Sequence, residues 1–167
     1  MTETKFRAEK LRLLKVFLID SHIKNREERP ILKLGKEDTI HTENNVTVGV
    51  NTKKKELRVL YDLKIRPKIA GEFDKAIFAK FVFHFYFSLE NFDDLVEQTE
   101  KEVIIDGHLN VNLSAIAYST LRGLIFTRFQ DTYLEGAYLP IIDPVKLIRL
   151  PLMNKPAKRK KLVKKKA

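Results

Sequence analysis

The stretch Lys75-Ala-Ile-Phe-Ala-Lys-Phe-Val-Phe-His-Phe-Tyr-Phe-Ser-Leu89 is the strongest strand signal in the sequence. Successive side chains of a strand point to opposite faces. One face therefore carries the odd-numbered residues Ile77, Ala79, Phe81, Phe83, Phe85 and Phe87. The even positions are also partly apolar, with Phe78, Val82 and Tyr86. A small antiparallel sheet usually leaves one face to solvent, so this pattern predicts a strand that needs cover on both faces, from helices, a second subunit or a ligand.

Three further segments ahead of this strand also have strand character. Residues 11–24 are rich in β-branched and aromatic side chains, which favours a strand, although residues 5–15 are also compatible with a helix. Residues 46–51 and 57–66 alternate at period two on either side of a polar turn at 52–55, and Pro67 follows the second segment. This order predicts an antiparallel meander.

The second half of the chain has the periodicity of a helix. A short acidic helix or loop at 92–101 precedes an apolar stripe at spacings of three and four, made of Leu113, Ile116, Ala117, Leu121, Leu124 and Ile125. Ser114 is a candidate to start this long helix, and Gly123 marks either close packing or a weak point in it. Pro140 and Pro144 then keep the chain extended, because a proline disfavours helix at the residue before it. A short helix through Leu150 is expected to follow.

Composition bounds the class of protein. A chain of 167 residues, 44% hydrophobic, is long enough for one domain and short for two. It has no cysteine, which excludes a disulfide framework and a thiolate metal site. The first residues are polar, and no apolar run approaches the ~20 residues that span a bilayer. We expect a soluble cytoplasmic protein without membrane insertion.

The formal net charge of +10 is concentrated at the end of the chain. Eight of the 32 basic residues lie in 154–167, which has no acidic residue, so the remaining 24 stand against 22 acids. We expect one domain at 1–153 and a disordered basic tail at 154–167. The tail predicts contact with an anionic partner, either RNA or a ribosome or an acidic protein. The contact residues would be Lys158, Arg159, Lys160, Lys161, Lys164, Lys165 and Lys166.

The sequence contains no clear motif of a catalytic site. The four histidines are scattered, so neither a metal site nor a cofactor is expected, and His84 is interpreted as a core or groove residue. The glycines form no phosphate-binding loop, and no serine lies in a nucleophile elbow. Arg122 and Arg128 flank the helical stripe, where pairing with an acid such as Glu135 is the preferred interpretation. We therefore expect a binding protein that is not an enzyme.

The chain resembles SecB-like chaperones over roughly residues 10–150. The resemblance rests on the order of the four strands, on the Phe-rich last strand ending in Phe87-Ser-Leu89, on the helix Ala115-Ile-Ala-Tyr-Ser-Thr-Leu-Arg-Gly123 and on Leu139-Pro-Ile-Ile-Asp-Pro-Val-Lys-Leu147. It implies an α+β fold in which a four-stranded antiparallel sheet carries a long helix and a shorter C-terminal helix on one face. It also implies a homotetramer built as a dimer of dimers.

The resemblance further implies two surfaces. Members of the family hold unfolded precursors in apolar grooves, which correspond here to Phe85, Phe87, Leu89, Phe92, Leu95, Leu139, Ile141, Ile142 and Leu147. In that family an exposed face of the last strand joins subunits, which assigns an oligomer interface to Ala79, Phe81 and Phe83, together with Leu121 of the long helix. The expected function is ATP-independent holding of unfolded or precursor polypeptides for protein export.

Other partners stay open. Typical SecB proteins offer carboxylates on the sheet to the export motor SecA, whereas this chain has Lys75 and Lys80 on the last strand and a basic tail. The partner is therefore SecA, an antitoxin of a toxin–antitoxin system, or a ribosome or RNA contacted by the tail. An enzyme with a pocket near His84 is the weakest alternative.

Overall fold

The computed structural model describes residues 6–24, 39–69, 71–100, 102–132 and 134–153, with side chains as far as residue 148. The main sheet contains β1 (Leu11–Lys24), β2 (Thr39–Asn51), β3 (Glu56–Ile69), the two-residue β4 (Glu72–Phe73) and β5 (Phe78–Leu89). A short helix α1 (Phe92–Leu95) leads to the hairpin of β6 (Val96–Gln98) and β7 (Val103–Ile105). Helices α2 (Gly107–Arg128) and α3 (Pro144–Met153) follow. The predicted α+β class and element order are confirmed.

The Phe-rich strand β5 lies inside the sheet, whose order is β1-β5-β3-β2, with every neighbouring pair antiparallel. Phe85, for example, lies between Val16 of β1 and Val59 of β3. Strands β1 and β3 pair with the backbone of β5 along its two edges. This central position explains why β5 is a long, mostly apolar strand. The alternative of a helix over residues 5–15 is wrong, because β1 begins at Leu11 after a single 3-10 turn.

The odd-numbered side chains of β5 face the helices and form the core. Phe81 packs against Phe129 just after α2, at 6.0 Å between ring centroids, and Tyr61 of β3 lies 6.0 Å from Tyr118 of α2. The even-numbered side chains are half-buried on the side of the sheet away from α2 and α3. We call this side the outer face; it carries Phe78, Val82, His84 and Tyr86.

The predicted oligomer interface coincides with this core. Ala79, Phe81 and Leu121 are fully buried and Phe83 nearly so, all within the single chain. A second subunit was predicted on the odd-numbered face of β5, but in the structure α2 and its following loop occupy that face. These four side chains therefore present no surface to another chain in this arrangement.

Pro67 does not end β3, which continues to Ile69. The pairing of β3 with β5 stops at Ile65, and the pairing with β4 begins only at Lys68. Pro67 is thus at a point where one edge of β3 has no strand pairing, so the missing proline N–H costs no ladder hydrogen bond there. Its carbonyl oxygen still accepts from the backbone N–H of Asp74 at 3.0 Å.

Helix α2 starts earlier than its apolar stripe indicates. The side chain of Asp106 caps the helix and accepts from the backbone N–H groups of His108 and Leu109, at 2.9 and 3.0 Å. The prediction that Ser114 helps to start the helix is wrong, because Ser114 is buried in its second turn. Gly123 has open space where a Cβ would lie, so it is a weak point and not a close contact.

Candidate functional site

Most of the predicted groove residues are buried in the chain's own core. Phe85 and Phe87 are fully buried, and five others are almost so: Leu89, Phe92, Leu95, Leu139 and Leu147. Two of the nine are accessible, Ile141 strongly and Ile142 partly. The physical reason is that β5 is central and α2 covers its odd-numbered face. The part of the predicted groove that is open to a partner is therefore the loop between α2 and α3.

Two side chains of α2 hold this loop in place. The hydroxyl of Tyr118 donates to the carbonyl oxygen of Pro140 at 2.8 Å, and Nε of Arg122 donates to the carbonyl oxygen of Leu139 at 3.1 Å. Burial, partly offset by the charge of Arg122, raises the pKa of Tyr118 to about 12, so its hydroxyl stays a donor over the ordinary pH range.

The expected pair between Arg122 and Glu135 does not form. Arg122 binds the loop backbone, while Oε2 of Glu135 accepts from the backbone N–H of Asp131 at 3.2 Å. Asp131 has a positive φ of 59°, so this acceptor lies at a turn that requires local support. Both side chains thus fix the backbone of the loop, which leaves its apolar side chains free to face outward.

The loop keeps large apolar side chains in solvent. Ile141 is 87% exposed and Tyr138 is 67% exposed. Tyr138 stacks on Phe126 of α2, which is itself 41% exposed, with 5.2 Å between ring centroids and 16° between ring planes. We define the loop surface as Phe126, Tyr138, Ile141, Ile142 and Val145. Single exposed apolar residues are common on protein surfaces. Several of them on one hydrogen-bonded loop and the helix beside it indicate a binding surface.

Three members of the loop surface were not predicted from the sequence: Phe126, Tyr138 and Val145. Phe126 lies one position beyond Ile125 and outside the core stripe of α2, which was a usable signal for an apolar residue on the outer side of the helix. Nothing in the sequence indicated that Tyr138 stacks on it, since that contact depends on how the loop folds back.

A second accessible apolar surface lies on β1, an edge strand of the main sheet. Register shifts between Leu13 and Lys15 and between Leu18 and Asp20 leave Leu14 and Ile19 without partners in β5. Leu13, Leu14, Phe17 and Ile19 are all exposed, and we call this set the β1 edge. Phe17 also packs edge-on against Tyr86 of the outer face, at 5.7 Å. An edge strand with exposed apolar residues is a template for pairing with another chain.

His84 is a titratable group on the outer face whose pKa is shifted. His84 is half-buried beside Tyr86, with ring centroids 6.4 Å apart. Burial lowers the pKa of His84, and the nearby Arg58 guanidinium lowers it further. The neutral imidazole is therefore favoured in the folded chain, and His84 is a residue of the sheet face, not of a closed pocket.

Two kinds of feature are absent from the described part of the chain. No group of three or more histidine, aspartate or glutamate side chains is close enough to hold a metal ion there. Among the helices of those same residues, none combines the length and apolar character needed to cross a bilayer. The basic residues predicted to contact an anionic partner, Lys158 to Lys166, lie outside the described residues.

Comparison with solved structures places the fold. The structure matches that of a SecB-like chaperone from Mycobacterium tuberculosis, Rv1957, solved in complex with a ChAD peptide from the Rv1956 HigA1 antitoxin. The TM-score is 0.59, and the match covers 81% of this chain and 91% of that one at 15% sequence identity. The fold is SecB-like. No family model and no curated protein sequence matches the chain.

The SecB-like fold accounts for the layout of the sheet and helices. It combines an antiparallel sheet with a long helix and a short C-terminal helix on one face, as the resemblance implied. At 15% identity the likeness extends to the fold alone. Any function that this SecB-like chain has must therefore be argued from its own accessible surfaces.

Proposed function

We propose that this chain is a chaperone that holds unfolded polypeptide without a nucleotide, and that the loop surface is its client-binding site. The observation that carries the proposal is the exposure of Tyr138, Ile141 and Phe126 on a loop whose backbone is tied to α2. An ordinary surface loop is polar, because the free energy falls when apolar side chains leave water. Here the hydrogen bonds from Tyr118 and Arg122 oppose collapse of the loop.

The binding energy would come from burial of apolar surface. An extended client offers apolar side chains, and removing this surface from water contributes roughly 25 cal/mol per Å². Because the loop is already ordered, binding does not have to order it again, and less of the contact energy is lost. Capture then competes with folding, so slow-folding clients are retained.

The identity of the client has two candidates. Precursors destined for export are the first, as the resemblance implied. An antitoxin is the second, and it is favoured by the fact that the matched SecB-like chaperone was solved with an antitoxin peptide. Delivery to SecA, and contact between the tail and RNA or a ribosome, remain predictions.

Assembly into a homo-oligomer is part of the proposal, with the interface moved to the β1 edge. The four residues first assigned to it are buried, whereas Leu14, Phe17 and Ile19 are exposed on a strand that pairs along one edge only, as far as the described residues show. Pairing of two β1 strands would satisfy free backbone groups and cover these side chains at once. A dimer of dimers would need one further contact between such pairs.

The test of holding is suppression of aggregation. A chemically denatured, slow-folding protein is diluted into buffer without nucleotide, and light scattering is recorded with and without the full chain. The wild-type chain is expected to suppress scattering, and the double variant Tyr138→Asp with Ile141→Asp to lose most of this effect. Both substitutions are at exposed positions, so the unfolding free energy should change by only about 0.5 kcal/mol.

The matched control is Phe73→Asp. Phe73 is an apolar side chain, 48% exposed, that pairs with Lys68 at the end of β3, on the other side of the sheet from the helices. It should leave suppression intact. Substitution of Phe87 would not be informative, because a charge at this fully buried site would unfold the chain. If the wild-type chain fails to suppress scattering, or if the control loses activity to the same degree, the proposal is wrong.

A further inference from the structure

One end of the outer face combines aromatic rings with cations. The Nζ atom of Lys68 lies 5.8 Å from the ring centroid of Phe73, and the guanidinium carbon of Arg66 lies 5.7 Å from that of Phe78. Histidine rings complete the cluster, with His41 5.3 Å from Phe73 and His22 6.1 Å from Phe78. Each phenylalanine is thus held as a platform with a cation over one part of its ring.

A cavity of about 470 Å³ opens between these platforms. It is lined by Lys24, Arg66, Phe73, Asp74, Lys75 and Phe78, which come from the ends of β1, β3, β4 and β5. Pockets for small ligands measure roughly 300–1,000 Å³, so this cavity has room for one aromatic base with its sugar and phosphate. The cavity is separate from the loop surface, which lies on the helix side of the sheet.

Within the described ranges, no carboxylate forms an ion pair with the cations at this end. Elsewhere on the outer face Lys80 pairs with Asp20 at 3.1 Å and Lys64 with Glu43 at 3.7 Å. Across the described residues, no ion pair forms to the four cations Lys24, Arg66, Lys68 and Lys75. Repulsion among them is a cost, which an anionic ligand would relieve.

Asp74 is the acidic residue among the described residues of the lining, and it is engaged by the local turn. Its Oδ1 accepts from the backbone N–H groups of Ala76 at 2.7 Å and Ile77 at 3.1 Å. This turn leads into β5 and presents Lys75 to the cavity. The carboxylate therefore shapes the site, and the cations outnumber it.

We infer that this cavity binds a nucleotide unit, with the base stacked on Phe73 or Phe78 and the phosphate contacted by Lys24, Arg66 and Lys75. Cations alone would suit any polyanion, and a carboxylate-rich peptide would leave both rings unused. Flat rings beside phosphate-binding cations are the combination that single-stranded nucleic acid uses, where stacking contributes roughly five- to 150-fold in affinity per base. Free nucleotides share this chemistry, so the experiment separates the two sources.

The test compares full-length variants by fluorescence anisotropy with a labelled oligouridine of about 12 nucleotides, which is within the usual site size. Lys24→Glu with Lys75→Glu should weaken binding by at least about tenfold and lower the magnitude of the salt slope by about 1.4. Phe73→Ser should weaken binding by at least about fivefold at unchanged charge. All variants keep the basic tail, so any binding of the oligonucleotide by the tail is the same in each of them.

The charge control is Lys53→Glu with Lys54→Glu. These exposed residues lie in the turn between β2 and β3, at the other end of the sheet, and make the same change in net charge. Binding should fall by less than about threefold, in line with the loss of general attraction. Aggregation suppression is measured in parallel and should be unchanged in every variant, so failure of this inference is distinguishable from failure of the chaperone proposal.

Competition identifies the source of the ligand. Displacement by uridine monophosphate would assign the site to free nucleotides, and displacement by unlabelled oligouridine alone would assign it to single-stranded nucleic acid; either result supports the inference. Equal loss in the two double variants, no loss in Phe73→Ser, or equally good competition by an oligoglutamate peptide would overturn it. The last result would point to an acidic protein at the same cations.

Discussion

The hydroxyl of Tyr118 on α2 donates to the carbonyl oxygen of Pro140 at 2.8 Å, across 22 positions of sequence. Tyr118 is almost fully buried, yet the loop that it holds exposes Ile141 just one residue further on. A core residue thus sets the position of an accessible one. This contact makes the loop surface a property of the folded chain, not of a local segment.

Tyr118→Phe is therefore expected to loosen the loop. Removing one net hydrogen bond should lower the free energy of unfolding by about 1 kcal/mol, and backbone amides at 134–143 should exchange faster with solvent. Urea unfolding and hydrogen exchange measure these two effects. Tyr86→Phe is the matched control, because no protein atom of the described chain accepts from or donates to the Tyr86 hydroxyl. Equal exchange in both variants would contradict the role of Tyr118.

The two glycines near the loop should respond in opposite directions to alanine. Gly123→Ala should raise the free energy of unfolding by roughly 0.5–1 kcal/mol, because Gly123 is in a helix interior and a Cβ there meets open space. Gly136→Ala should lower it by about 1 kcal/mol, since Gly136 has a φ of 79°, where a side chain is strained. Thermal or urea unfolding of both variants measures whether each substitution raises or lowers the free energy of unfolding. A stabilised Gly136→Ala would show that the turn adopts another conformation.

His84 should make stability fall at mildly acidic pH. Its pKa is lowered in the folded chain by burial and by Arg58, so the unfolded chain binds a proton more readily. Stability from the neutral imidazole is fully present above the unfolded pKa of about 6.5 and is lost as the pH falls from that value through the lower pKa of the folded chain. Urea unfolding of the wild-type chain and His84→Gln between pH 7.5 and 5 checks this. A pH dependence of equal size in the variant would rule His84 out as its source.

The β1 edge predicts how the chain assembles. The double variant Leu14→Lys with Ile19→Lys should form a smaller oligomer than the wild-type chain, because charges at these positions oppose pairing of two edge strands. Ile19 is 55% exposed, so the single chain should remain folded. Native mass spectrometry measures the oligomer, and Thr47→Lys on the exposed side of β2 is the control. A wild-type chain that is monomeric, or a variant of unchanged mass, would remove the β1 edge as an interface.

Local pattern was sufficient for the fold class. Period-two alternation in residues 57–66 and 77–89 and helical spacing from Leu113 to Ile125 depend only on the direction of consecutive side chains, so β3, β5 and α2 were predicted with the correct type and order. The same pattern also predicted that the Phe-rich strand needs cover on both faces. It carried no information on which element would bury it.

That choice was made by tertiary packing. With β5 between β1 and β3, Phe81, Phe83, Phe85 and Phe87 are buried in the core of the single chain, so they are not accessible to a client or a subunit in this arrangement. The accessible apolar residues instead arise from long-range or irregular features: the hydrogen bonds from Tyr118 and Arg122 to the loop, and the register shifts that turn Leu14 and Ile19 outward. A hydrogen bond between distant residues and a bulge in a strand have no periodic signature, which is why the sequence predicts the core well and the surface poorly.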